Sequence, residues 1–338
     1  RGFQTVVNGK LSDYKELNFS VPQGSCAGPV LFNVYASTLE TLFSDDDSQT
    51  PLGYADDHTF IDSLNAENFT ETITSMENKL DEVKVWMTEN RLQMNDGKTV
   101  VIFFGTKSQL KKDVISNKIR VGAEEIESVE KVQCLGGWFD ELMSMKPFIS
   151  EKCRIAHFNV HNIRALRYFL PLDICKRLVD AMVLSHLDYA NSILAGLPKC
   201  DIEKLQSIQN MAAKMVLKRS KFESSTQALH DLEWLPVEYR IKQKILSYVY
   251  KCLNNQAPKY LSDLLKYKSS RYNTRSEVNL ELQIPKTTRS GDRAFGTMGP
   301  VLWNQLPLDL RTSETYDIFK KKLKAHLLSD AFAVLTSN

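Results

Sequence analysis

Two neighbouring carboxylates, Asp56 and Asp57, lie in the stretch Gly53-Tyr54-Ala55-Asp56-Asp57-His58-Thr59-Phe60-Ile61, between two short runs of strand-forming residues. Adjacent anions repel, and tight turns favour Asp. The pattern therefore reads as the tip of a β-hairpin that offers oxygen ligands to a hard cation such as Mg²⁺, with Mn²⁺ as a substitute. The metal would supply the charge that neutralises the pair. In a two-metal site the ions lie about 3.5–4 Å apart, held by carboxylates so that they polarise phosphate oxygens and activate an attacking hydroxyl. Phosphoryl or nucleotidyl transfer is the chemistry this implies; a solvated surface turn is the plain alternative. Asp45-Asp46-Asp47 is a richer cluster, but its Ser, Gln, Thr and Pro neighbours mark a solvated loop. Strands hold ligands more precisely than a loop does.

Three further patterns surround the aspartates: Val21-Pro22-Gln23-Gly24-Ser25 upstream, then Asn90-Arg91-Leu92-Gln93-Met94-Asn95 with Lys98-Thr99, and Leu135-Gly136-Gly137. With Asp56-Asp57 they stand in the order and approximate spacing of the second half of a reverse transcriptase palm. The chain resembles the reverse transcriptase of non-LTR (LINE-type) retrotransposons, and the likeness runs to near the C-terminus. That resemblance implies an RNA-directed DNA polymerase, a nucleotidyltransferase that works with Mg²⁺ or Mn²⁺ on an RNA template, a DNA primer and deoxynucleoside triphosphates. It makes Asp56 and Asp57 the metal-binding catalytic carboxylates. Pro22, Gln23, Gly24, Ser25 and Tyr54 would line the site for the incoming nucleotide and the template base. Lys98 would stand near the nucleotide phosphates as general acid for the departing pyrophosphate, and Leu135-Gly136-Gly137 would form the primer grip beneath the growing 3′ end.

The chain departs from that pattern at Cys26-Ala27, where a branched apolar residue and a leucine are usual, and at Val100, where an acidic residue commonly follows Lys-Thr. The family uses a third carboxylate from a strand ahead of the Pro-Gln-Gly motif. The first twenty residues supply none, since Asp13 is too close to Pro22 and lacks the flanking apolar strand. Fingers and any amino-terminal endonuclease are also not in this sequence. Losing one group that stabilises a transition state costs about 10²–10³-fold, and losing nucleotide positioning costs more. The expectation is that the isolated chain is inactive. A reading from another class is a non-catalytic remnant that binds nucleic acid or a protein.

The elements that would position these residues follow from the periodicities. Residues 1–20 read as extended segments around Asn8-Gly9, and Val30 to Phe43 as an apolar helix. Phe69, Ile73, Met76, Leu80, Val83 and Met87 recur at helical steps, with Asn65 as a cap and Asn90 as a left-handed terminus. Leu92–Met94 and Thr99–Phe104 read as a second hairpin around Asn95-Asp96-Gly97, with short strands at 119–121, 124–126 and 132–139. From Met145 the pattern is helical: Ile149 to Ile163, Ile174 to Leu187, Ile202 to Leu217, a segment after Trp234-Leu235-Pro236, and a last helix that buries Phe319, Leu323 and Leu327 and exposes Lys320, Lys321, Lys322 and Lys324. The basic residues Lys214, Lys218, Arg219 and Lys221 could meet phosphates or simply cap a helix. Cys153, His157 and His161 share helical spacing but lack the four-ligand set of structural zinc, so they read as a helix flank.

The fold class expected is α+β: a partial polymerase palm at 1–140, an antiparallel sheet with packed helices, then a helical thumb at 141–265, then a basic linker and helical segment at 266–338, with 268–293 as the linker or a nucleic-acid-contacting loop. With 43 Lys and Arg against 41 Asp and Glu, net charge neither demands nor excludes nucleic acid. Six scattered cysteines without a Cys-x-x-Cys pair read as free thiols in a reducing compartment. No apolar run approaches a membrane span and no secretory signal opens the sequence. The expected location is intracellular, nuclear or cytoplasmic, with no membrane partner.

Overall fold

In the computed structural model, residues 2–16, 24–43, 50–64, 68–110, 118–122, 124–268, 280–287 and 289–333 are described. Pro22 and Gln23, the Asp45–Asp47 cluster, the cap assigned to Asn65 and most of the centre of 268–293 lie outside them. The chain forms two compact units, Arg1–Phe103 with Lys107–Glu130, and Phe104–Thr106 with Lys131–Asn338. The sequence reading had three domains with a first boundary at 140.

The first unit carries β1 (Gly2–Phe3), β2 (Val6–Val7), β3 (Lys10–Leu11), β4 (Lys15–Glu16), α1 (Gly28–Ala36), β5 (Thr50–Tyr54), β6 (Asp57–Ile61), α2 (Phe69–Glu89), α3 (Lys107–Leu110), β7 (Lys118–Val121) and β8 (Glu124–Glu127). The expected single sheet is not formed among the described residues; the strands pair only in antiparallel two-stranded ladders, β1 with β4, β2 with β3, β5 with β6 and β7 with β8. The apolar helix read over Val30 to Phe43 is α1 followed by a 3₁₀ segment, Ser37–Phe43. That segment buries Leu39 and Phe43 against Val83 and Trp86 of α2. Phe43 stacks on Phe60 with ring centroids 5.1 Å apart, which anchors β6. Carboxylates on α2 accept from the β7 edge: the Arg120 amide donates to Glu77 at 2.8 Å and the Gly122 amide to Asp81 at 3.0 Å.

Two local readings are corrected. Asn90 closes α2 at φ −88°, its side-chain amide donating to the Trp86 carbonyl, and the left-handed position falls on Arg91 at φ 52°. The second hairpin around Asn95 is not formed. The amides of Lys98 and Thr99 both donate to the Asn95 carbonyl, at 3.0 and 3.1 Å, winding a helical turn over Asp96–Lys98. Val101 instead bridges to Ser128, and Met94, Val101 and Phe103 are drawn into a small core with Ile119 and Val121. Burial of those side chains outweighs the local turn preference of Asn-Asp-Gly.

The second unit begins with a hairpin of β9 (Lys131–Cys134) and β10 (Gly137–Asp140) and continues through α4 (Lys146–Leu166), α5 (Leu172–Val179), α6 (Ser185–Asp188), α7 (Lys199–Val216), α8 (Ser225–Asp231), α9 (Val237–Leu253), α10 (Lys259–Ser262), α11 (Phe295–Asn304), α12 (Leu308–Arg311) and α13 (Tyr316–Ala331). One π-helical segment, Asp180–Leu184, joins α5 to α6. A single core runs from Phe148 in α4 to Leu327 in α13, with Trp138 and Phe139 of β10 packed against it. Those two aromatics explain why the hairpin belongs with the helices, placing the boundary near 130. Residues after 266 are not a separate domain either. Tyr250 of α9 stacks on Phe319 of α13 at 4.4 Å and donates to the Ser313 carbonyl at 2.8 Å, a ring contact of about 0.5–1.5 kcal/mol beyond its burial. Lys320, Lys321, Lys322 and Lys324 are exposed while Phe319, Leu323 and Leu327 are buried, as the spacing predicts.

Candidate active site

The β5–β6 register pairs Thr50 with Ile61, Gly53 with His58 and Tyr54 with Asp57. Only Ala55 and Asp56 are left to make the turn, so both carboxylates stand at the tip of a two-residue hairpin. Such loops need backbone of the opposite twist to ordinary turns, and Ala55 supplies it at φ 53°, a conformation that costs an L-residue roughly 1–2 kcal/mol. Alternation along β6 turns His58 and Phe60 inward and Asp57, Thr59 and Ile61 outward. Phe60 is the anchor, and Asp57, an odd number of residues before it, falls on the opposite, exposed face. Across the ladder, a Cβ on Gly53 would lie 3.3 Å from His58 Nδ1. A side chain at Gly53 would have to move the imidazole by a few tenths of an ångström.

Asp56, Asp57 and Tyr54 are all exposed, Tyr54 at 68%. The tip thus presents oxygen donors on adjacent residues, open to solvent on the strand side that does not pack. Oxygen-only donors fit a hard divalent cation, and Mg²⁺ is commonly held by one or two carboxylates together with substrate phosphates and water. No group of three potential ligand side chains is assembled among the described residues; the tip itself brings two carboxylates, Asp56 and Asp57, side by side.

The other residues singled out from the sequence sit on separate elements. Gly24 is exposed at φ 82° with open space where a Cβ would be. Ser25 is half-buried and its hydroxyl accepts from the Gly28 amide at 3.0 Å, so it starts α1. Lys98 is exposed on the 3₁₀ turn that replaces the expected hairpin. Leu135 and Gly136 form the turn between β9 and β10, both at positive φ, 46° and 74°, the pairing a type I′ hairpin turn requires. That hairpin belongs to the second unit. Its turn is held by a residue the sequence reading did not assign: the Tyr189 hydroxyl donates to the Leu135 carbonyl and lies 3.5 Å from the position of a Gly136 Cβ. Nothing in the local sequence links positions 54 residues apart; only the folding of the hairpin onto the helical core does.

Tyr189 is itself placed by Lys152. This lysine of α4 is 5% exposed and its Nζ donates to the carbonyls of His186 and Tyr189, both at 2.6 Å, at the end of α6. Burial pulls its pKa down to about 8, partly opposed by Asp188. Asp188 in turn takes Arg240, whose Nε donates at 2.7 Å. Cys153 and His157 line a surface groove with Cys200, Glu203 and Lys204 of α7, and burial pushes the Cys153 thiol up.

An α+β chain whose hairpin tip offers paired carboxylates to solvent, with a helical unit following, is the class of protein that fold and tip define. Residues 3–139 match the family model described as reverse transcriptase (RNA-dependent DNA polymerase), which supports a reverse transcriptase over that segment. The matched segment includes Asp56 and Asp57 and ends within β10. No curated protein and no solved structure matches the chain. Among the described residues no helix is long and apolar enough to cross a membrane.

Proposed function

We propose that the chain is the carboxy-terminal part of the palm, with the thumb and trailing helices, of a non-LTR retrotransposon reverse transcriptase. The match of residues 3–139 to the reverse transcriptase family, with the Asp56–Asp57 tip inside it, carries this reading. Divalent cations held at the tip would stabilise the charge that develops on the phosphates and activate the primer hydroxyl. The chain's own residues do the placing. The two-residue turn fixes Asp56 and Asp57 side by side, Phe60 ties their strand to the core, and Gly53 leaves room for His58. Gln23, Gly24, Ser25 and Tyr54 shape the nucleotide site, Gly24 by letting backbone approach the ligand. Lys98 carries a proton to the leaving pyrophosphate, and Leu135-Gly136-Gly137 supports the primer end on a turn that Tyr189 holds.

The chain by itself is proposed to be inactive, because two carboxylates are one short of the family's three. Primer extension on an RNA template with Mg²⁺ or Mn²⁺ tests both parts. The isolated chain should give no template-dependent product, and product from it would overturn the claim of inactivity. In a protein extended at the amino terminus so that it polymerises, Asp56→Asn or Asp57→Asn should cut the rate by about 10²–10³-fold or more. Full activity in either variant would remove the aspartates from the mechanism.

A further inference from the structure

We propose that the helical unit carries a stacking platform for an unpaired nucleic-acid strand, built from Tyr168, Phe169 and Phe222 with Lys218, Lys221 and Arg164. None of these residues lies in the 3–139 segment. The three rings are the observation that needs an account: at 83, 79 and 86% they are more exposed than the other exposed aromatics of the unit, Phe158, Tyr189, Tyr248, Tyr260 and Tyr267. Tyr168 and Phe169 stand edge to face with centroids 5.4 Å apart.

The loop that bears them is fixed rather than loose. Between Arg164 and Tyr168 lies Arg167, whose guanidinium is buried and donates to the carbonyls of Met215, Val216 and Leu170 at 2.6–3.2 Å. A cation there satisfies the open carbonyls at the end of α7 and pins the 167–170 loop beside it. Lys218 follows immediately at φ 53° and its ammonium lies 5.9 Å over the Tyr168 ring. Lys214 Nζ donates to the Lys221 carbonyl at 2.9 Å, folding the next loop back, and Lys221 lies 4.9 Å over the Phe222 ring.

Charge selects the occupant. The stretches 160–170 and 214–222 contain no Asp or Glu. Arg219 is taken up by Asp231 and Glu223, which leaves Lys218 and Lys221 as exposed cations over the rings, with Arg164 exposed in the last turn of α4. Among the described residues neither Lys218 nor Lys221 forms a salt bridge, and Glu223, the nearest carboxylate in sequence, pairs with Arg219. Flat rings open to solvent beside such lysines complement a polyanion with planar bases, the bases stacking on aromatic side chains while the phosphates meet the lysines. A paired duplex hides its base faces and cannot use the rings. A protein partner docking on the same rings would have to bury the lysines, so nucleic acid is the fit.

Fluorescence anisotropy with labelled single-stranded RNA, single-stranded DNA of the same sequence and the corresponding blunt duplex tests this, with EDTA present and no nucleotide, so that the hairpin tip plays no part and a failure of the polymerase reading leaves the test intact. At least one single strand should bind more tightly than the duplex; the RNA and DNA arms decide which backbone is taken. Tyr168→Ala and Phe169→Ala should each weaken that binding by about 5- to 150-fold, while Tyr168→Phe keeps it. Lys218→Gln and Lys221→Gln should each lower the slope of log affinity against log salt by about 0.7. Thermal unfolding of each variant shows that the fold is kept, which the exposure of the rings leads us to expect. Wild-type affinity in the folded alanine variants, the outcome if the rings serve a protein, would overturn the proposal, as would duplex bound as tightly as either strand.

Discussion

Replacing Lys152 by methionine should destabilise the helical unit by an amount that grows with pH. The lysine is a buried ammonium whose pKa falls from 10.5 to about 8 because burial disfavours its charged form. A folded-state pKa below the unfolded one means that, between about pH 8 and 10.5, the unfolded chain holds the proton and the folded chain does not. Stability then rises with pH across that window, and it is lower on the acid side, where both states are charged and the full cost of burial is present. At about 1.4 kcal/mol per pH unit of difference, the wild type gains roughly 2–3 kcal/mol on this account from pH 7 to pH 10. The neutral amine still donates to the His186 and Tyr189 carbonyls. Methionine has neither proton nor donor. At pH 7, Lys152→Met loses two hydrogen bonds to a charged group, about 1.5–3 kcal/mol each, and regains much of that by removing a buried charge. At pH 10 the loss stands alone. Burial also raises the thiols of Cys175 and Cys252 and the phenol of Tyr250, which lowers stability as pH rises, but it does so in both proteins and cancels in the comparison. Guanidinium unfolding at both pH values gives the difference, which is also a change of ~5–10 °C in the gap between melting temperatures for a domain of this size. A gap that does not change from pH 7 to pH 10 would refute the reasoning.

Two further substitutions probe what positions the hairpins and helices. Tyr189→Phe removes the hydroxyl that holds the Leu135 carbonyl; at a half-exposed site it should cost about 0.5–1.5 kcal/mol and speed amide hydrogen exchange at the β9–β10 turn, while leaving α9 and α13 unaffected. Exchange unchanged at that turn would show that the turn holds itself. Gly299→Ala puts a Cβ 2.9 Å from Val249 Cγ2 where α11 crosses α9; overpacking there should cost about 1–3 kcal/mol, read as a lower melting temperature. An unchanged or higher value would mean the helices separate freely.

What the sequence carried well were features with short-range causes. A β-turn between strand-forming runs puts two aspartates at a tip, and alternation in β6 sends Asp57 outward whatever the rest of the chain does. Helical spacing located α2, α4, α7 and α13 because an amphipathic stripe must bury one face wherever its partner lies. Asn95-Asp96-Gly97 misled because its turn preference is weak beside the burial of Met94, Val101 and Phe103. The Leu135-Gly136-Gly137 stretch read correctly as a hairpin, but its allegiance was decided by Trp138 and Phe139 finding the helical core.

Tertiary packing alone settled the rest. Lys152, Arg167 and Tyr189 look in sequence like a surface lysine, a helix-end arginine and a helix tyrosine. Each instead meets carbonyls on a distant element, at separations of 34 to 54 residues. Backbone carbonyls left open at helix ends and turns have no signature in the amino-acid types around them, so the residues that satisfy them are fixed only once the helices have packed. Chemistry that one tip can present is written locally; the scaffold within each unit is set by which distant polar groups must be paired when that unit closes.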